Sequence, residues 1–145
     1  MRLILVLFLA TPASLSMGAG VAPFTVTGDA IEAPLTATPG DAARGAAIVR
    51  NRETANCLIC HAIPDAREHF MGDVGPSLAG VGSRLTPGQI RLRVVDPTRL
   101  NPGAVMPAYH RVEGLTRVDA RHQGRPVLTA MEIEDVVAYL AGLKE

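Results

Sequence analysis

The sequence predicts a helical domain with a single core, and three observations carry that prediction. Two capping boxes, Thr86-Pro87-Gly88-Gln89 and Thr129-Ala130-Met131-Glu132, each mark a helix start where a threonine and a Gln or Glu three residues on satisfy backbone donors reciprocally. After the second box, Ile133, Val136, Val137 and Leu140 recur at helical spacing and make one apolar face. The chain has 145 residues, 48% hydrophobic and 19% charged, which suits one core and not two.

Residues 1–20 stand apart from that domain. Arg2 precedes an apolar run from Leu3 to Ala10, and small residues follow through Gly20, the pattern of a secretory signal peptide removed from the mature protein. The run is too short to span a bilayer, which takes roughly 20 residues, so no transmembrane segment is expected after cleavage. A buried first helix is the competing reading. Residues 21–40 form an extended strap, because Pro23, Pro34 and Pro39 with Gly28 and Gly40 exclude a helix. Phe24, Val26, Ile31 and Leu35 mark the strap as packing on its own domain or on a partner.

The domain proper is expected over 41–145. Asp41 caps a first helix running to about Glu53. Gly45 lies inside it, at a cost of about 1 kcal/mol relative to alanine, acceptable where another helix crosses closely. Asp73 to Gly82 is a glycine-rich turn region. Pro87 sits at the first position of a short helix through Ile90, Leu92, Val94 and Val95, stopped by Asp96-Pro97. An irregular loop, Asn101 to Pro107, leads to a long connection from Ala108 to Leu128 carrying Arg111, Arg117, Arg121 and Arg125. The last helix has Glu132, Glu134 and Asp135 near its start, where the helix dipole favours acids.

The chemistry is concentrated in Cys57-Leu58-Ile59-Cys60-His61, the attachment signature of a c-type haem. Each thiol can add across one haem vinyl group to give a thioether, which leaves the His61 imidazole against one face of the iron. Export agrees with this, and so does a content of 3% aromatics with no tryptophan, since one covalent haem c would supply the missing rigid apolar surface. A zinc site would call for a second ligand pair, which the sequence lacks. A thiol–disulfide oxidoreductase would call for a strand before Cys57. Zero net charge gives no reason to expect nucleic-acid binding.

A second iron ligand has six candidates: Met71, Met106, Met131, His69, His110 and His122. Met106 is the best placed, 45 residues after His61 in a Pro- and Gly-rich loop that can aim a side chain at a metal. Met71 and Met131 read more simply as core filling, and His110 and His122 as solvated loop residues. Metal-bound histidines usually donate their second ring N–H to an acceptor. The Pro76 carbonyl, in a glycine-flanked turn, is the expected partner of His61 Nδ1, the alternative being that Gly75-Pro76 is a turn and nothing more.

A helix, CxxCH, Gly75-Pro76-Ser77-Leu78, a Met-Pro loop and a C-terminal amphipathic helix together resemble the class I cytochrome c pattern over roughly residues 40–145. That resemblance implies an all-α fold with the first and last helices crossing near Gly45, against Tyr139. Gly40 to Gly45, Asn56 to His61, Gly72 to Leu78 and Val105 to Tyr109 are similar, more narrowly, to SoxX, the monohaem cytochrome subunit of the bacterial sulfur-oxidation system. The resemblance implies His61 and Met106 as axial ligands and a SoxA-like cytochrome subunit as heterodimeric partner. It implies a periplasmic electron-transfer subunit of an L-cysteine S-thiosulfotransferase, not catalytic alone, that passes electrons to a downstream cytochrome. The strap, the loop 108–128 or both are expected to contact the partner. The rival readings are a free-standing cytochrome c carrier, a haem enzyme or sensor with an open sixth position, and a haem-free disulfide protein.

Overall fold

The computed structural model describes residues 20–145, so the signal peptide expected over 1–20 lies almost wholly outside the described residues. Four α-helices form the frame: α1 (Ala42–Arg50), α2 (Val81–Arg84), α3 (Pro87–Val95) and α4 (Ala130–Gly142). Single 3-10 turns at Cys57–Ile59, Pro97–Arg99 and Ala120–His122 join them. Among the described residues there is no strand, only an isolated antiparallel bridge between Thr27 and Ala30. The fold is all-α. No helix among these residues is long and apolar enough to cross a membrane.

Asp41 caps α1 by accepting from the Arg44 N–H at 2.8 Å. The helix stops at Asn51 and not at Glu53. The Asn51 side-chain oxygen accepts from the N–H groups of Glu53 and Thr54 at 2.8 and 3.0 Å, an Asx turn that competes with further helical bonds. A short irregular segment therefore separates α1 from Cys57. Both expected capping boxes are formed, at Thr86–Gln89 and Thr129–Glu132. The glycine-rich region before α3 is less irregular than its sequence suggests, since its end, Val81, begins α2.

Helices α1 and α4 make the most extensive pairing in the molecule. Gly45 permits it: a Cβ there would overlap the Asp135 carbonyl and lie 2.9 Å from Tyr139 Cβ. The closest neighbour is thus the backbone of Asp135, with Tyr139 beside it. Only Glu132 occupies the first turn of α4. Glu134 and Asp135 lie further along, buried, and hold the fold together by pairing. Asp135 accepts from Arg44 Nε and Nη2 at 2.8 Å each and from the Asp41 N–H at 2.7 Å, locking the start of α1 to α4. Glu134 receives Arg91 of α3 at 2.7 and 2.9 Å, both side chains about 5% exposed.

The strap lies on this frame. Ile31 is fully buried, and Phe24, Val26 and Leu35 pack against the core. Arg91 also donates to the Ile31 carbonyl at 2.6 Å, while the Leu35 N–H reaches Glu134 at 2.9 Å, so one buried ion pair ties α3, α4 and the strap. The connection 108–128 is likewise anchored at both ends. The Tyr109 and His110 N–H groups donate to Val94 and Val95, and the Leu128 N–H to Tyr109.

Candidate cofactor site

The helical frame leaves an apolar cavity of about 960 Å³ open to one side. Val49, Leu78, Val81, Leu85, Val94 and Leu140 are among its walls, contributed by all four helices or their flanks. One rim is the turn holding Cys57, Cys60 and His61. Asn56, in the left-handed region at φ +51°, reverses the chain into that turn. The Cys60 and His61 N–H groups then both donate to the Cys57 carbonyl, at 3.2 and 3.0 Å, which brings the two sulfurs and the imidazole to one side.

His61 Nδ1 lies 2.7 Å from the Pro76 carbonyl oxygen. With Nδ1 carrying the proton, this bond orients the ring and leaves Nε2 free as a ligand. Two further contacts set the geometry. The Gly75 N–H donates to Cys60 at 2.8 Å. A Cβ on Gly75 would overlap the imidazole itself, so glycine is required for this approach.

Of the six candidates for a second ligand, Met106 and His122 line the cavity. Met71 does not, and its sulfur accepts from the Ile63 N–H at 3.2 Å. His69 and Met131 also lie outside the lining. His110 corrects the sequence reading: it is not solvated but fully buried. Its Nδ1 bonds the Leu128 carbonyl at 2.7 Å and its Nε2 accepts from the Ala22 N–H at 3.0 Å, so both ring nitrogens are engaged and neither is free for a metal. This histidine is a neutral cross-link between the strap and the 108–128 connection.

The residues present fit a covalently attached haem. The cavity has the apolar lining and size of a cofactor site, two thiols and an oriented imidazole stand at its rim, and a thioether side chain lies within it. The Cys57 thiol does not fit disulfide exchange. Burial pushes the Cys57 thiol up to about 11, opposed by a backbone hydrogen bond and helped, least of the three, by the neighbouring Cys60. A redox-active thiol is instead shifted down, because the thiolate is the reactive form. Tyr109 closes the site from behind: its hydroxyl donates to the Ala55 carbonyl at 2.7 Å, fixing the chain just ahead of Cys57.

Comparison with known proteins agrees. The family model for cytochrome c matches residues 42–144. Among solved structures the chain is similar to one in the crystal structure of SoxXA from P. pantotrophus, at 34% identity and a TM-score of 0.79, the match covering 87% of this chain and 98% of that one. No curated protein sequence matches. With the matched region spanning all four helices and the cavity they enclose, the chain belongs to the cytochrome c family.

Proposed function

We propose that this protein is the SoxX-like monohaem subunit of a periplasmic SoxXA-type complex, relaying electrons released by thiosulfate oxidation on a SoxA-like partner to a downstream cytochrome. The observation that carries the reading is the shared cavity of Cys57, Cys60, His61 and Met106, with His61 tied to Pro76. Likeness to a SoxXA chain across nearly its whole length supports the partner, and the signal-peptide pattern of residues 1–20 supports export.

Cys57 and Cys60 would be the attachment points, each S–H adding across a vinyl group so that a C–S bond forms and the hydrogen goes to the adjacent carbon. Bound there, the haem supplies a one-electron iron couple. His61, its ring fixed by Pro76 and lying close against Gly75, would hold the iron through Nε2. Met106, which lines the same cavity, would supply the second ligand, and its thioether would favour the reduced metal more than a second imidazole. With both ligands supplied by the chain, substrate would find no place on the iron, and the protein would relay electrons without making or breaking substrate bonds. The apolar walls keep water away, and the thioether rim stays open for electron entry. The chain has no third cysteine to carry sulfur, so the thiol chemistry of the transferase falls to the partner.

The spectrum of Met106→Ala tests the ligand set. The variant should lose the weak thioether-to-iron band of the oxidised protein and bind carbon monoxide once reduced. If the band persists unchanged, another side chain is the ligand and the assignment fails.

A further inference from the structure

Phe70 is 95% exposed, the most exposed large apolar side chain among the described residues. Ile59, Val74 and Val105 are also exposed but line the cavity, where a cofactor would cover them in part; Phe70 does not line it. Its backbone is unusual as well, at φ +59°, a region bulky residues rarely adopt. Such outliers persist where surrounding structure imposes them, and they cluster at functional sites.

The imposing contacts are on both sides. Arg52 donates through Nη2 to the His69 carbonyl at 3.0 Å and through Nη1 to the Phe70 carbonyl at 3.4 Å. Beyond Phe70, the Gly72 N–H donates to the Leu58 carbonyl at 2.9 Å, binding this segment to the turn between the two cysteines. The ring therefore projects into solvent from a fixed backbone, with only His69 edge-on to it at 6.5 Å. In a chain with three Phe, two Tyr and no Trp, the other described aromatics, Phe24, Tyr109 and Tyr139, all pack on or in the core.

We propose that Phe70 is the anchor that seats in an apolar socket of the SoxA-type subunit, beside the thioether rim. This rests on the electron-relay reading and names the contact through which it works. Aromatic side chains, Phe among them, are enriched at protein interfaces relative to the rest of the surface. The charged pairs tied to this segment are mixed in sign: Arg52, which holds the Phe70 carbonyl, lies 3.7 Å from Glu68, and Arg50 pairs in turn with Glu68 at 3.5 Å and Asp65 at 2.6 Å. Matched pairs of this kind suit the polar rim of a protein interface, whereas an anionic lipid surface calls for unopposed basic residues. A partner held there also sits against the Cys57–Cys60 turn, the edge through which electrons enter.

The test titrates mature holoprotein, as wild type, Phe70→Ala and Phe70→Leu, with a purified SoxA-type subunit. All three should share one optical spectrum, since the ring touches nothing in the core. Phe70→Ala should bind about tenfold more weakly or worse, and Phe70→Leu should recover most of the loss. Binding of Phe70→Ala within about twofold of wild type overturns the proposal. So does a Phe70-dependent attachment to phosphatidylglycerol vesicles, or a Phe70-dependent dimer, with SoxA binding unchanged. If wild type itself forms no complex, the relay reading fails and this contact fails with it.

Discussion

Gly75 and His61 show how closely single residues determine the site. The imidazole sits where a Gly75 Cβ would be, so the ring lies close against the Gly75 backbone and is hydrogen-bonded through Nδ1 to Pro76 O. Gly75→Ala should displace the ring and weaken the bond proposed between His61 and iron, seen as a high-spin fraction in the optical spectrum of the oxidised holoprotein. A wild-type spectrum from that variant would show that the contact yields without consequence. The residues of this site were legible in the sequence because their signals are local: CxxCH, Gly-Pro and Met-Pro each declare themselves within a few positions. His110 was not, since a histidine between Tyr109 and Arg111 reads the same whether its ring faces water or the Leu128 carbonyl. Its burial comes from the strap and from Leu128, both far away in sequence.

Among the elements, the α1–α4 crossing organises the fold, and Asp135 is its polar lock. Hydrogen bonding from Arg44 holds the Asp135 carboxyl below the usual carboxylate range, against an opposing effect of burial and with help from the Asp41 N–H. A folded-state value below the unfolded one means that this carboxylate stabilises the protein above about pH 4 and that the contribution fades as pH falls further. Asp135→Asn keeps an acceptor for the Asp41 N–H but loses the charge. Chemical denaturation at pH 7 should show it less stable by about 1–3 kcal/mol, with the gap to wild type narrowing below pH 4. An equal gap at both pH values would contradict the pairing account. Both capping boxes and the apolar face of α4 were readable because caps and periodicity are properties of neighbouring residues. The early end of α1 at Asn51 and the inward turn of Glu134 and Asp135 were not. Acids near a helix start look like dipole partners until Arg44 and Arg91 are brought in from other helices.

At the scale of the molecule, the strap and the 108–128 connection are parts of the domain and not appendages to it. Arg91, Glu134 and His110 bind them to the frame through buried bonds. Arg91→Leu should leave Glu134 buried without its partner and cost about 3–5 kcal/mol, measured by thermal or urea unfolding of the holoprotein; a loss under about 1 kcal/mol would mean that the ion pair does not join strap to core. The sequence led to the haem, the helical class and the electron-relay role, but not to which side of the strap faces inward, because prolines and scattered apolar residues carry no periodicity to read. Everything functional depends on the two thiols being joined to a porphyrin. Intact mass of the protein, purified from a host that attaches c-type haem, measures that most directly under denaturing conditions. The account predicts a polypeptide heavier by one haem, with the added mass absent from a Cys57→Ser, Cys60→Ser double variant; a wild-type chain that emerges at its bare polypeptide mass would contradict it.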